Sequence, residues 1–200
     1  MHKNHLDFIT HVKRECRRYG IKLILSDKDK LVVDNQTYGG YFDTIELFVS
    51  NGTENWIIST LVHEFSHMEQ WIENDPVFTH RLRGGYQSYD IMDKWLGGNT
   101  YKSITVKSAV GLSRDCELDC DRRAIKNITK YNLQLDIERY CQESNAYILM
   151  YNFAKKIRQW EFKNSPLDDR IVNHMPTDLT SINYNSLPRE YELLYKNVLL

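Results

Sequence analysis

The chain has 200 residues, 42% of them hydrophobic and 26% charged, which supplies a real core and excludes a disordered polymer. Lysine plus arginine (26) nearly balances aspartate plus glutamate (27), and the net charge of −1 argues against a nucleic-acid binder held by phosphate contacts. No apolar run approaches the roughly 20 residues that cross a bilayer and none at the N-terminus resembles a signal peptide; with four cysteines read as reduced thiols, a soluble cytoplasmic protein with no membrane association is expected.

In chain order, Leu6, Phe8, Ile9, Val12 and Cys16 recur at helical spacing over 4–19, and Gly20 stops that helix. Ile21–Leu25, Leu31–Val33 and Ile45–Val49 are β-rich runs. The segment Tyr38–Phe42 lies among them, and its pair Gly39-Gly40 predicts a bulge or a close backbone approach. From Trp56 to about Asn74, Ile57, Ile58, Leu61, Val62, Phe65, Met68, Trp71 and Ile72 follow a helical period, which Asp75-Pro76 ends. Residues 76–111 hold five of the nine glycines and read as a loop region with a short helix near Tyr89–Leu96. Two long helices are predicted over Ser113–Lys130 and from Asp136 to about Phe162, then an irregular tail with a short helix at Pro188–Asn197. The expected fold is α+β: an N-terminal helix and a small twisted β-sheet packed on the helix near 56–74, followed by a mainly helical C-terminal half. It forms one domain over 1–200, divided at 1–75, 76–111 and 112–200.

The 56–74 helix carries His63-Glu64-Phe65-Ser66-His67, an H-E-x-x-H pattern. Four residues turn a helix by about 400°, so the two imidazoles sit about 40° apart and about 6 Å along the axis, within reach of one ion. Glu64 points about 100° away from His63, where a carboxylate can take a proton from a metal-activated water. A catalytic zinc needs a third protein ligand. Glu73 stands where a third histidine falls in the H-E-x-x-H-x-x-G-x-x-H pattern, but Gln70 replaces the glycine that would turn the chain back. His80 lies beyond Pro76, and Cys116 and Cys120 fall on the apolar stripe of their helix, as buried thiols do. Glu117 is the strongest candidate, with Asp121 one turn further on the same helix face, able to hold a histidine N–H.

On His63, Glu64, His67, Glu117 and Asp121 the chain resembles the zincin metallopeptidases, and within them the gluzincin group, which pairs an H-E-x-x-H helix with a later E-x-x-x-D helix. The order of elements over roughly 20–130 is similar too. The resemblance implies one zinc ion held by His63, His67 and Glu117, with Glu64 as catalytic base and Asp121 orienting a histidine. It implies a peptide or protein substrate held by strand addition along Ile45–Val49 or Tyr38–Phe42. It also implies a tyrosine or histidine that steadies the oxyanion, for which Tyr86, Tyr89 and His174 are candidates. The expected function is therefore a zinc-dependent peptidase. The alternative is a protein-interaction module whose metal site is structural or vestigial, its aromatic-rich segment Tyr140–Trp160 serving a partner.

Overall fold

A computed structural model describes residues 1–28, 31–33, 36–79, 82 and 85–200, with the backbone alone for 31–33 and 36–38. The chain opens with helix α1 (Lys3–Tyr19), whose first turn is capped by the His2 side chain and whose end is closed by Gly20 at φ 72°. The left-handed conformation at Gly20 is the one in which a missing Cβ matters. Strands β1 (Lys22–Leu25), β2 (Leu31–Val33), β3 (Gln36–Tyr38), β4 (Gly40–Phe42) and β5 (Glu46–Val49) follow. Helix α2 (Glu54–Ile72) starts at the cap Thr53, whose hydroxyl accepts from the Trp56 N–H at 3.3 Å. Then come α3 (Pro76–Thr79), α4 (Ser88–Leu96), α5 (Ser103–Lys130), α6 (Ile137–Ile157), α7 (Asp169–Val172) and α8 (Arg189–Leu199).

The molecule is α+β, with a small mixed sheet, an N-terminal helix and a mainly helical C-terminal half. Its contacts divide it into two compact units, one formed by 1–78 with 120–136, the other by 79–119 with 137–200. Among the described residues no helix is long and apolar enough to cross a membrane.

In the first unit, β5 is the central strand of the order β1-β5-β4, parallel to β1 and antiparallel to β4, while β2 and β3 form a separate antiparallel pair. Leu47, Phe48 and Val49 are buried, as a central strand requires. The expected strand Tyr38–Phe42 is broken at Gly39, so that its two ends pair with different partners. The glycine pair marks a close approach of backbone to helix α2. A Cβ on Gly39 would lie 2.5 Å from Trp56 Cζ2, and one on Gly40 would lie 2.5 Å from Thr60 Cγ2 and 3.0 Å from Glu64 Cγ. Helix α1 meets α2 through Phe8 edge-on to Phe65 at 5.9 Å, and through Cys16 Sγ at 3.7 Å from Met68 Sδ. Residues 120–130 of α5 contribute buried Cys120, Ala124 and Ile128 to this unit.

In the second unit, Met92, Val106, Val110 and Tyr151 form a buried cluster flanked by Trp95, Tyr147 and Trp160. Helix α5 starts at Ser103, ten residues before the expected Ser113, so 103–111 is not loop. Burial of Val106, Ala109 and Val110 offsets the roughly 1 kcal/mol that a helical glycine, here Gly111, costs. Helix α6 stops at Ile157 rather than near Phe162 because Arg158 turns left-handed at φ 56°, its guanidinium donating to the Trp95 and Asn99 carbonyls at 2.9 Å. The irregular tail is anchored by buried α6 amides. Asn145 donates to the Pro176 and Asp178 carbonyls at 2.8 and 2.9 Å, and Asn152 to Tyr184 at 2.7 Å.

Candidate metal centre

Helix α2 owes its position to the apolar set Ile58, Leu61, Val62, Phe65 and Met68, all buried. Anchoring that face fixes where the histidines stand. His63 and His67 lie one turn apart, their ring centroids separated by 4.9 Å and their planes at 88°. Each ring has its Nδ1 engaged. His63 Nδ1 is 2.9 Å from Asp121 Oδ1, and His67 Nδ1 is 2.9 Å from Gln70 Oε1. A carboxylate and an amide oxygen can only accept, so both Nδ1 atoms carry the hydrogen, and Nε2 is the nitrogen each ring would offer to an ion. Both Nε2 atoms are therefore available to a metal ion.

Cys120 completes a third side of this group. Its sulfur is buried, lies 3.7 Å from His63 Nδ1 and donates to the His63 carbonyl at 3.1 Å. Ligand atoms of His63, His67 and Cys120 all lie within 4.8 Å of one another, so the group could hold a metal ion. Bonds of about 2.0–2.3 Å in tetrahedral array put ligand atoms about 3.5 Å apart, a small contraction from that spacing. His63 keeps 23% of its side-chain surface exposed, which gives solvent a way in. Burial disfavours its charged form, yet Cys120 and Asp121 outweigh burial and hold its pKa well above 6.5.

Glu64 is buried on the same helix, under the main chain of β4 at Gly40. Glu73 caps the C-terminal end of α2 and takes a 2.6 Å hydrogen bond from Arg123 Nη1, while Arg123 Nη2 holds Asp75, also at 2.6 Å. That clamp gives Glu73 an architectural task at the helix end. His80 lies outside the described residues. Glu117 and Cys116 are buried in the second unit, and Glu117 takes a 2.7 Å hydrogen bond from the Tyr89 hydroxyl. Tyr89 is 37% exposed as a residue, yet loss of solvent around its part-buried hydroxyl, then the Glu117 charge, push the phenol well above 10. Tyr86 is exposed ahead of α4, and His174 is exposed just past α7, its N–H bonded to the Ile171 carbonyl at 3.0 Å.

The structure thus gathers His63, Glu64, His67 and Asp121 in the first unit, and Glu117 with Tyr89 in the second. Sequence reasoning missed Gln70 as the partner of His67. The signal was present in its i+3 spacing from His67, which puts the two side chains on one helix face. Compared with protein-family models, curated proteins and solved structures, the chain matches none of them.

Proposed function

We propose that the chain is a zinc-dependent peptidase of gluzincin-like design, working in the cytoplasm on a peptide or protein substrate. The observation that carries this reading is the pair of imidazoles on α2, each fixed through Nδ1 by an acceptor, with the Glu64 carboxylate on the same helix. Zinc, when bound, polarises the scissile carbonyl and lowers the pKa of a water to about 7. His63 and His67 are its nitrogen ligands. Glu117 is the third ligand, one helical turn before Asp121 on the unbroken helix α5. Asp121 and Gln70 keep the hydrogens on Nδ1 and stop the rings from rotating. Glu64 accepts the water proton as oxygen attacks the carbonyl carbon, and returns it to the leaving amine as the C–N bond breaks. Strand β4, outermost in the described sheet and laid over Glu64, offers its edge to an extended peptide. Tyr86 and His174 are the candidates to steady the oxyanion, the Tyr89 hydroxyl being bonded to Glu117.

The test separates binding from turnover. Glu64→Gln is expected to keep one zinc per chain and lose cleavage of a peptide library by at least about 100-fold, the scale of general-base catalysis. Glu117→Ala is expected to lose the zinc.

A second reading is favoured by Cys120: a structural site in which His63, His67 and the Cys120 thiolate hold the ion and a further protein group closes its fourth position, in a module that does not cleave peptides. There Cys120→Ser loses the metal and Glu117→Ala retains it.

A further inference from the structure

We propose that Tyr89 is a positioning residue that holds the Glu117 carboxylate in its ligand orientation, an inference that rests on Glu117 being the third zinc ligand. Tyr89 stands in the first turn of α4, and its hydroxyl lies 2.7 Å from Glu117 Oε1 and 3.4 Å from the Ser113 carbonyl, one turn earlier on α5. The contact is not an isolated surface pair. The neighbouring residue Ser88 is buried and accepts a 3.0 Å hydrogen bond from the Ser113 hydroxyl, so two adjacent bonds fasten the start of α4 along α5. Glu117 itself is 8% exposed, too little for water to supply the hydrogen bonds its charge requires.

A glutamate ligand has a broad terminal torsion, and its carboxylate plane is poorly fixed by the chain. A phenol is a neutral donor, so it fixes one oxygen without cancelling the charge that binds zinc, and directs the other oxygen to the ion. The role assigned to Tyr89 therefore acts through Glu117 and not on the substrate.

Zinc affinity is measured by chelator competition on the full chain, together with the visible spectrum of the cobalt-substituted protein and the melting of the metal-free form. Tyr89→Phe is expected to weaken zinc by about 10–100-fold and to change the cobalt spectrum, while metal-free melting stays within a few degrees. Tyr89→His keeps a ring donor and should recover part of the loss. It is also the variant to read if Tyr89→Phe does not fold: affinity within tenfold of the parent supports the proposal, and loss as complete as in Glu117→Ala overturns it. Ser113→Ala breaks the adjacent bond alone and should leave zinc affinity unchanged; an equal loss there would mean general loosening of α4 and would overturn the assignment. Parental affinity and spectrum in Tyr89→Phe, with zinc lost in Glu117→Ala, would also overturn it. Zinc retained by Glu117→Ala would instead remove the underlying ligand set.

Discussion

Asp121 is the residue whose chemistry is easiest to isolate. It is buried, it sits 2.9 Å from His63 Nδ1, and its removal leaves in place Nε2, the nitrogen proposed to face zinc. Asp121→Asn should weaken zinc by about 10–100-fold, as losses behind a ligand do, with Glu64 untouched; isothermal titration against a competing chelator measures it. The same pair sets a pH signature in the metal-free protein. Because the folded pKa of His63 is raised above 6.5, the pair's stabilisation is complete below about 6.5 and disappears as pH rises through the folded value. The gap in stability between parent and Asp121→Asn should therefore be widest in mild acid and close on the alkaline side, read by urea unfolding across pH. His63, Glu64 and His67 were legible because helical spacing alone places them. Gln70 and Cys120 are not: in the sequence one stands only where a glycine is missing, the other only on an apolar stripe. Their roles depend on which atom of which histidine comes near, and no periodicity encodes that.

At the scale of elements, the approach of β4 to α2 fixes the roof over Glu64. Gly40 has Thr60, Glu64 and the Phe48 carbonyl at 2.5, 3.0 and 3.0 Å from where a Cβ would stand, and the last of these is backbone that cannot step aside. Gly40→Ala is expected to destabilise the protein by about 1–3 kcal/mol, the range for overpacking, and to lower turnover more than zinc affinity, since it presses on Glu64 and not on the histidines. Thermal melting, metal content and cleavage rate together check this. The glycine pair signals such an approach in the sequence itself, whereas the start of α5 is hidden there. Gly97, Gly98 and Gly111 suggested loop, but Gly97 and Gly98 follow the end of α4 and only Gly111 lies within a helix, where Val106, Ala109 and Val110 are buried. Tertiary burial overrode local propensity there. The short α7 was missed for the opposite reason, since four residues are too few for a period.

For the whole molecule, the division into units was not legible, because both are discontinuous and one boundary falls inside the unbroken helix α5. Composition shifts mark linkers, and none separates Asp119 from Cys120. Each unit buries its own apolar residues, so the fold does not depend on the ion as a zinc finger does. Stripping zinc should lower the melting temperature by about 5–10 °C when the free ion stands near 100 times its dissociation constant, a stabilisation of about 2.7 kcal/mol, and leave far-ultraviolet circular dichroism nearly unchanged. Collapse of the helical signal on chelation would contradict this.

The indole of Trp56 is bracketed by two residues that lack side chains. Ideal Cβ positions on Gly39 and Gly52 fall 2.5 Å from its Cζ2 and 2.2 Å from its Cδ1, and 40% of the residue remains exposed. Evolution has in effect set a fluorophore against the backbone between β3 and β4. With the other three tryptophans, Trp71, Trp95 and Trp160, replaced by phenylalanine, its emission would follow events at that backbone without an added dye.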